Sequence, residues 1–167
     1  YPVRSVHSSF GGLTMDMARD VYALGGFIYP YKGNGANAKD FLQSVKRVMP
    51  ADALLAMGYG SDINGFGNQA DPRGAGSTPV KYPFTLFQGP GWGPQFAAAG
   101  IKPITFNQSQ SAEGGRKWDL NAEGQAHYGL VADYVEETRI EGGEEATTAL
   151  FNSAEQYLRT WEKTVNR

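Results

Sequence analysis

The chain of 167 residues contains no cysteine. Disulfide scaffolds, thiolate metal sites and cysteine nucleophiles are therefore excluded, while the compartment stays open. Histidine is scarce as well, with two residues, so imidazole chemistry would rest on His7 or His127. No apolar run reaches the roughly 18 residues a membrane helix needs. Tyr1-Pro2-Val3-Arg4 lacks the basic-then-apolar order of a secretory leader. Neither a membrane span nor a targeting segment is expected, and the chain reads as soluble. An excess of one charge is also missing: 15 Lys and Arg face 17 Asp and Glu, a net of −2. That balance argues against a basic nucleic-acid binder.

Glycine and proline are abundant instead. Together they number 31 residues, from 22 Gly and 9 Pro, above the roughly 12% average, so much of the chain must be loop. The two charge signs are also segregated. Up to Leu120 there are 11 bases and 8 acids; from Asn121 onward there are 4 bases and 9 acids. The texture changes at the same point, from Gly-rich and aromatic to helix-forming.

Before that point the hydrophobic pattern alternates between short strands and helices. Residues 1–8 read as a buried strand. A helix follows from about Thr14 to Leu24, with Thr14 as its cap, Met17, Val21 and Leu24 as its stripe, and Gly25-Gly26 as its stop. Phe27-Ile28-Tyr29 forms a second strand ended by Pro30. A second helix runs from about Ala38 to Met49, with Phe41, Leu42, Val45 and Val48 facing inward. The continuously apolar residues 53–60 read as a strand buried on both faces. This rhythm predicts βαβ units and a parallel sheet, an α/β fold.

Regularity stops at Phe66, and about fifty residues of Gly, Pro, aromatics and amides follow. That is too long for an ordinary connection, so a functional loop is expected, with residues 82–87 and 101–106 as edge strands or a hairpin. The tail returns to helix at about 122–139 and 144–151, separated by Gly142-Gly143. A last helix has Asn152 as its cap and Glu155 three positions on, followed by Tyr157, Leu158 and Trp161. The resulting division is residues 1–65 as βα units, 66–120 as a loop insertion and 121–167 as packing helices.

Asp62 is the strongest chemical candidate. It follows the most apolar strand, and in parallel α/β folds ligands bind beyond the carboxyl ends of strands. A carboxylate there suits a metal ligand or a general base toward metal-bound water; as Asp-x-Asn-Gly it equally suits a turn cap. His7 ends the first strand in the same way, so it is either a metal ligand on the same rim or a structural histidine. Arg73 is a candidate clamp for a substrate carboxylate or phosphate, against the plainer reading of a solvated loop arginine. Asn64, Tyr29 and His127 complete the substrate-binding candidates, His127 also reading as a packed or capping residue. The aromatics Tyr82, Phe84, Phe87, Trp92 and Phe96 either stack on sugars or anchor the long loop. Gly58-x-Gly60 is weak as a phosphate signature, since no complete glycine motif surrounds it.

Several of these segments resemble a known family. Val6-His7-Ser8-Ser9, then Gly25-Gly26-Phe27-Ile28, then Gly60-Ser61-Asp62-Ile63-Asn64-Gly65 are similar to the last third of metal-dependent hydrolases of the amidohydrolase superfamily. The nearest pattern is the membrane-dipeptidase, or renal dipeptidase-like, branch. Leu150 to Glu155 resembles the closing helix of that superfamily. Residues 118–121, 127–130 and 157–162 resemble bacterial dipeptidase-like hydrolases. The resemblance implies the C-terminal portion of a (β/α)8 TIM barrel, about three βα units plus tail helices. It implies His7 as a metal ligand and Asp62 as the catalytic or metal-linked aspartate. The cofactor it implies is a divalent metal, zinc by default.

The sequence departs from that branch in two places. The second metal histidine and the Arg-Asn pair that follow His-Ser-Ser there have no counterpart before Thr14. The ligands of the early strands are also missing. About three strands cannot close an eight-stranded barrel of roughly 250 residues, so a companion chain or a missing N-terminal half is expected as partner, with a small-molecule or peptide-like substrate. A non-catalytic barrel-derived subunit, binding through its aromatic loop, is the alternative, and a carbohydrate-binding module the third reading.

Overall fold

Thr14 starts the first helix by a local bond: its Oγ1 accepts from the Met17 N–H at 3.2 Å. In the computed structural model, which describes residues 3–6, 14–30, 37–60 and 70–166, helix α1 spans Met15–Ala23 between strands β1 (Val3–Val6) and β2 (Phe27–Pro30). Gly25 and Gly26 end it by donating to the Tyr22 and Val21 carbonyls, both at 2.9 Å. β1 and β2 are parallel, with Val3 opposite Phe27 and Val6 opposite Pro30. The expected βαβ unit is therefore present, as a two-stranded sheet. Its helix is turned from the expected stripe. Met17 and Leu24 are 41% and 48% exposed, while Ala18, Val21 and Tyr22 are buried.

Helix α2 (Ala38–Lys46) buries the predicted Phe41, Leu42 and Val45, and Val48 just beyond it is buried as well. These side chains join Ile28, Phe27, Met57, Ala146 and Ala149 in one core. The apolar stretch after α2 differs from expectation: residues 54–60 form no strand. Two of their backbone groups bond to residues of or beside a helix. The Met57 N–H donates to the Ala149 carbonyl at 2.7 Å, and Asn152 Nδ2 donates to the Leu55 carbonyl at 3.0 Å.

The long Gly/Pro-rich segment folds around a second core. Strands β3 (Phe84–Leu86) and β4 (Ile104–Phe106) pair antiparallel, as the expected hairpin, across the short helix α3 (Pro94–Ala98). Val80, Phe84, Leu86 and Leu120 are its buried centre, with Tyr82, Phe87, Trp92 and Phe106 against them. A single-turn helix α4 (Leu120–Glu123) and a 3₁₀ turn (Tyr128–Leu130) lead into α5 (Val131–Phe151). Gly143 kinks α5 with φ +61°, a left-handed conformation that a side chain would oppose. The break predicted at Gly142-Gly143 is thus present: Gly143, with ψ −154°, is non-helical and separates two helical stretches within Val131–Phe151. Helix α6 (Ser153–Val165) closes the chain. Asn152 precedes it without making a side-chain cap, its backbone being helical (φ −76°, ψ −5°) rather than extended as a cap requires. The molecule is a mixed α/β structure, about 47% helical and 8% strand, so helices carry most of the packing. Among the described residues no helix is long and apolar enough to cross a membrane.

Candidate functional site

β1 ends at Val6, the residue before His7 in the chain, and the parallel β2 ends at Pro30. Residues 54–60 lead to Ser61 and Asp62. His7, Asp62 and Asn64 themselves lie outside the described residues.

Tyr29 is half-buried on β2 and packs against the Gly58-x-Gly60 backbone. A Cβ at Gly58 would lie 2.9 Å from Tyr29 Cβ, and one at Gly60 would lie 3.4 Å from its ring. These glycines therefore admit the close passage of a tyrosine. One residue on, Tyr59 meets Tyr134 of α5 with ring centroids 4.4 Å apart. Burial pushes the Tyr134 hydroxyl above its ordinary range.

Arg73 departs from the plainer of its two readings. Its side chain is 2% exposed, so it is not a solvated loop residue. Nη1 lies 2.7 Å from Glu137, itself 4% exposed, and Nη2 pairs with Glu141. Both carboxylates stand on one face of α5, at i and i+4. This double ion pairing fastens the residues around Arg73 to α5, and among the described residues it leaves the guanidinium Nε without a hydrogen-bond partner. Ala70 adds a second tie, accepting from the Gln125 N–H at 3.1 Å.

His127 caps the 3₁₀ turn, its Nδ1 accepting from the Gly129 N–H at 3.0 Å. That bond places its proton on Nε2. The ring packs edge-on against Trp118 at 4.7 Å, and Arg116 covers the other part of the indole at 4.1 Å. Nearby, the Tyr82 hydroxyl donates to buried Asp133 and accepts from the Leu120 N–H at 3.2 Å. Burial raises the Asp133 carboxyl, an effect that the Tyr82 hydrogen bond opposes. The Glu123 carboxyl moves the other way, lowered chiefly by the Asp119 N–H at 2.8 Å and then by Arg116. Sequence reading missed the Tyr82–Asp133 contact, because the two are 51 residues apart with no periodic signal joining them.

The aromatic residues act as anchors. Phe87 contacts Trp92, Phe96 and Phe151 with centroids 4.8, 5.8 and 5.3 Å apart. Phe84 stacks on Phe106 at 5.7 Å. Rings packed on one another present little free face to a sugar. Among the described residues, no group of three His, Asp or Glu side chains is gathered as a metal would require. No protein-family model matches the chain, and neither does any curated protein or solved structure.

Proposed function

We propose that the chain is the C-terminal part of a metal-dependent hydrolase of the amidohydrolase type, built on a (β/α)8 barrel and acting on an amide or ester bond. The observation that carries the reading is the parallel β1–α1–β2 unit. Its strand β1 runs directly into His7, as the motif Val6-His7-Ser8-Ser9 requires at the carboxyl end of a barrel strand. His7 and Asp62 would hold the divalent ion, zinc by default, and Asp62 would take the proton of the attacking water and pass it to the leaving group. A bound divalent ion supplies a water acidic enough to ionise near neutral pH. Asn64 and Tyr29 would serve as substrate contacts. The barrel is completed by a companion chain or by an N-terminal half.

Metal content and hydrolysis of dipeptides and simple esters test the reading, on the assembled particle with its partner. Asp62→Asn should abolish turnover and weaken metal retention, and His7→Ala should lose metal and turnover together. Metal-free material whose hydrolysis neither substitution changes would remove the hydrolase assignment.

A further inference from the structure

The joint between α4 and α5 is closed by an imidazole. His127 has an extended backbone (φ −162°, ψ 168°), and its Nδ1 accepts from the Gly129 N–H at 3.0 Å, as a capping residue does. Glycine lets the ring sit so close. A Cβ at Gly129 would lie 2.7 Å from Cε1 and 2.8 Å from Nδ1 of His127, so a side chain there would push the ring off its partner. The Leu130 N–H donates to the His127 carbonyl at 3.1 Å, and α5 begins at the next residue.

The cap uses a lone pair that only the neutral ring has. With Nδ1 accepting, the proton sits on Nε2, and that nitrogen is buried with no hydrogen-bond partner among the described residues. One bond made and one buried donor left over is a costly balance, so an orientation that satisfies the second nitrogen competes with the cap. Two carboxylates surround this alternative. Glu123 of α4 and Asp133 of α5 both feel a charge on His127, which acts to lower each carboxyl. Asp119, the cap of α4, adds a further negative charge beside Asp133. Arg116, which pairs with Glu123 and lies 4.1 Å from the Trp118 ring centre, is the cation that opposes them. Protonation turns Nδ1 from acceptor into donor. It would then meet the Gly129 N–H donor to donor, and the imidazolium is better placed against a carboxylate.

We propose that His127 is a pH-sensitive latch on this joint. Neutral, it holds the 3₁₀ turn through Gly129; protonated, it releases Gly129 and swings toward Glu123 and Asp133, freeing the turn that leads into α5. One proton thereby biases an element with two arrangements, in the range of about pH 5 to 8 where histidine ordinarily changes charge. The latch rests on residues 116–133 and is independent of the hydrolase reading.

Amide and imidazole NMR of the full isotope-labelled chain, titrated from about pH 8 down to about pH 5, tests it. The chain has two histidines, so a His127 variant assigns both rings. At the alkaline end the His127 ring should be the Nε2–H tautomer. On acidification the Gly129 amide should shift in one step that tracks protonation of that ring. His127→Asn, whose Oδ1 takes the place of Nδ1 and does not titrate, should hold the Gly129 amide at its alkaline position throughout. His127→Ala should hold it at the acid position; if that variant fails to fold, the comparison with His127→Asn still decides. A ring that stays neutral to the acid end overturns the proposal, as does one that protonates while Gly129 stays still, or an Nδ1–H tautomer at the alkaline end. So does the same Gly129 step in His127→Asn, which would assign the transition to Glu123 or Asp133.

Discussion

The two cores of this molecule are held by different physics. The first, around Ile28, Phe41, Leu42 and Met57, is almost wholly apolar, and Phe41, Leu42 and Val45 enter it from a helix whose spacing faces them inward. The second, around Val80, Phe84, Leu86 and Leu120, is tied to its surroundings by polar bonds over long separations. Asn121 bridges both the N–H and the C=O of Val80, at 2.9 Å each. Thr147 Oγ1 donates to the Gly91 carbonyl at 2.8 Å, and Arg139 Nη1 donates to Pro90 at 2.8 Å. Arg73 meets Glu137 in the interior. An apolar core tolerates adjustment because dispersion contacts carry no direction. A buried polar network fails once one member is lost, because the abandoned partner keeps its desolvation cost.

The largest break should come from Arg73→Met. It removes the guanidinium that Glu137 meets in the interior, and breaking a buried ion pair from one side costs about 3–5 kcal/mol. The double variant Arg73→Met with Glu137→Met should recover most of that, since a well-packed apolar pair replaces a buried ion pair at little net cost. Urea midpoints at constant slope measure both. Recovery that fails would show that Glu141, rather than Glu137, dominates the pairing. Leu42→Ala should be somewhat milder, about 3 kcal/mol from lost transfer energy and a residual cavity. No single polar substitution should rescue it. If Leu42→Ala proved nearly neutral, the first core would be looser than its burial implies.

This contrast also explains what could be read in advance. The helices at Thr14 and Ala38 and the parallel pairing they imply were legible, because apolar periodicity and caps are local signals. Which face α1 buries was not, since Met17 and Leu24 fit the period as well as Ala18 and Tyr22 do. The stretch 53–60 was apolar enough for a strand, yet its backbone partners come from Ala149 and Asn152, nearly a hundred residues away. Arg73 reads as a clamp or a solvated loop arginine because its carboxylate partners, Glu137 and Glu141, lie more than sixty residues away. The clue was global: the acid excess after Asn121 answers the base excess before it, through Arg73 with Glu137 and Glu141, Lys46 with Glu145, and Arg116 with Glu123. The motif around His7 and Asp62 was visible at once, while its tertiary setting depends on residues beyond the described ones.

The smallest effect, and the sharpest probe of the second core, lies at Asp133. Its side chain is buried, accepts the Tyr82 hydroxyl and has a carboxyl raised above its ordinary 3.8, chiefly by burial. A raised acid holds its proton in the folded chain at pH values where the unfolded chain has released it. Stability therefore falls as pH climbs from about 3.8 through the raised value, and is level above it. Asp133→Asn keeps the shape, and its Oδ1 still accepts from Tyr82, but it carries no charge to desolvate. The variant should lose that part of the pH slope and stay within about 1 kcal/mol of the parent at pH 7. Matched urea titrations of both proteins from pH 4 to 8 decide it. An unchanged slope would place the titration elsewhere. A variant destabilised at pH 7 but not at pH 4 would mean that the ionised carboxylate, accepting from Tyr82, is a favourable member of the network despite its burial.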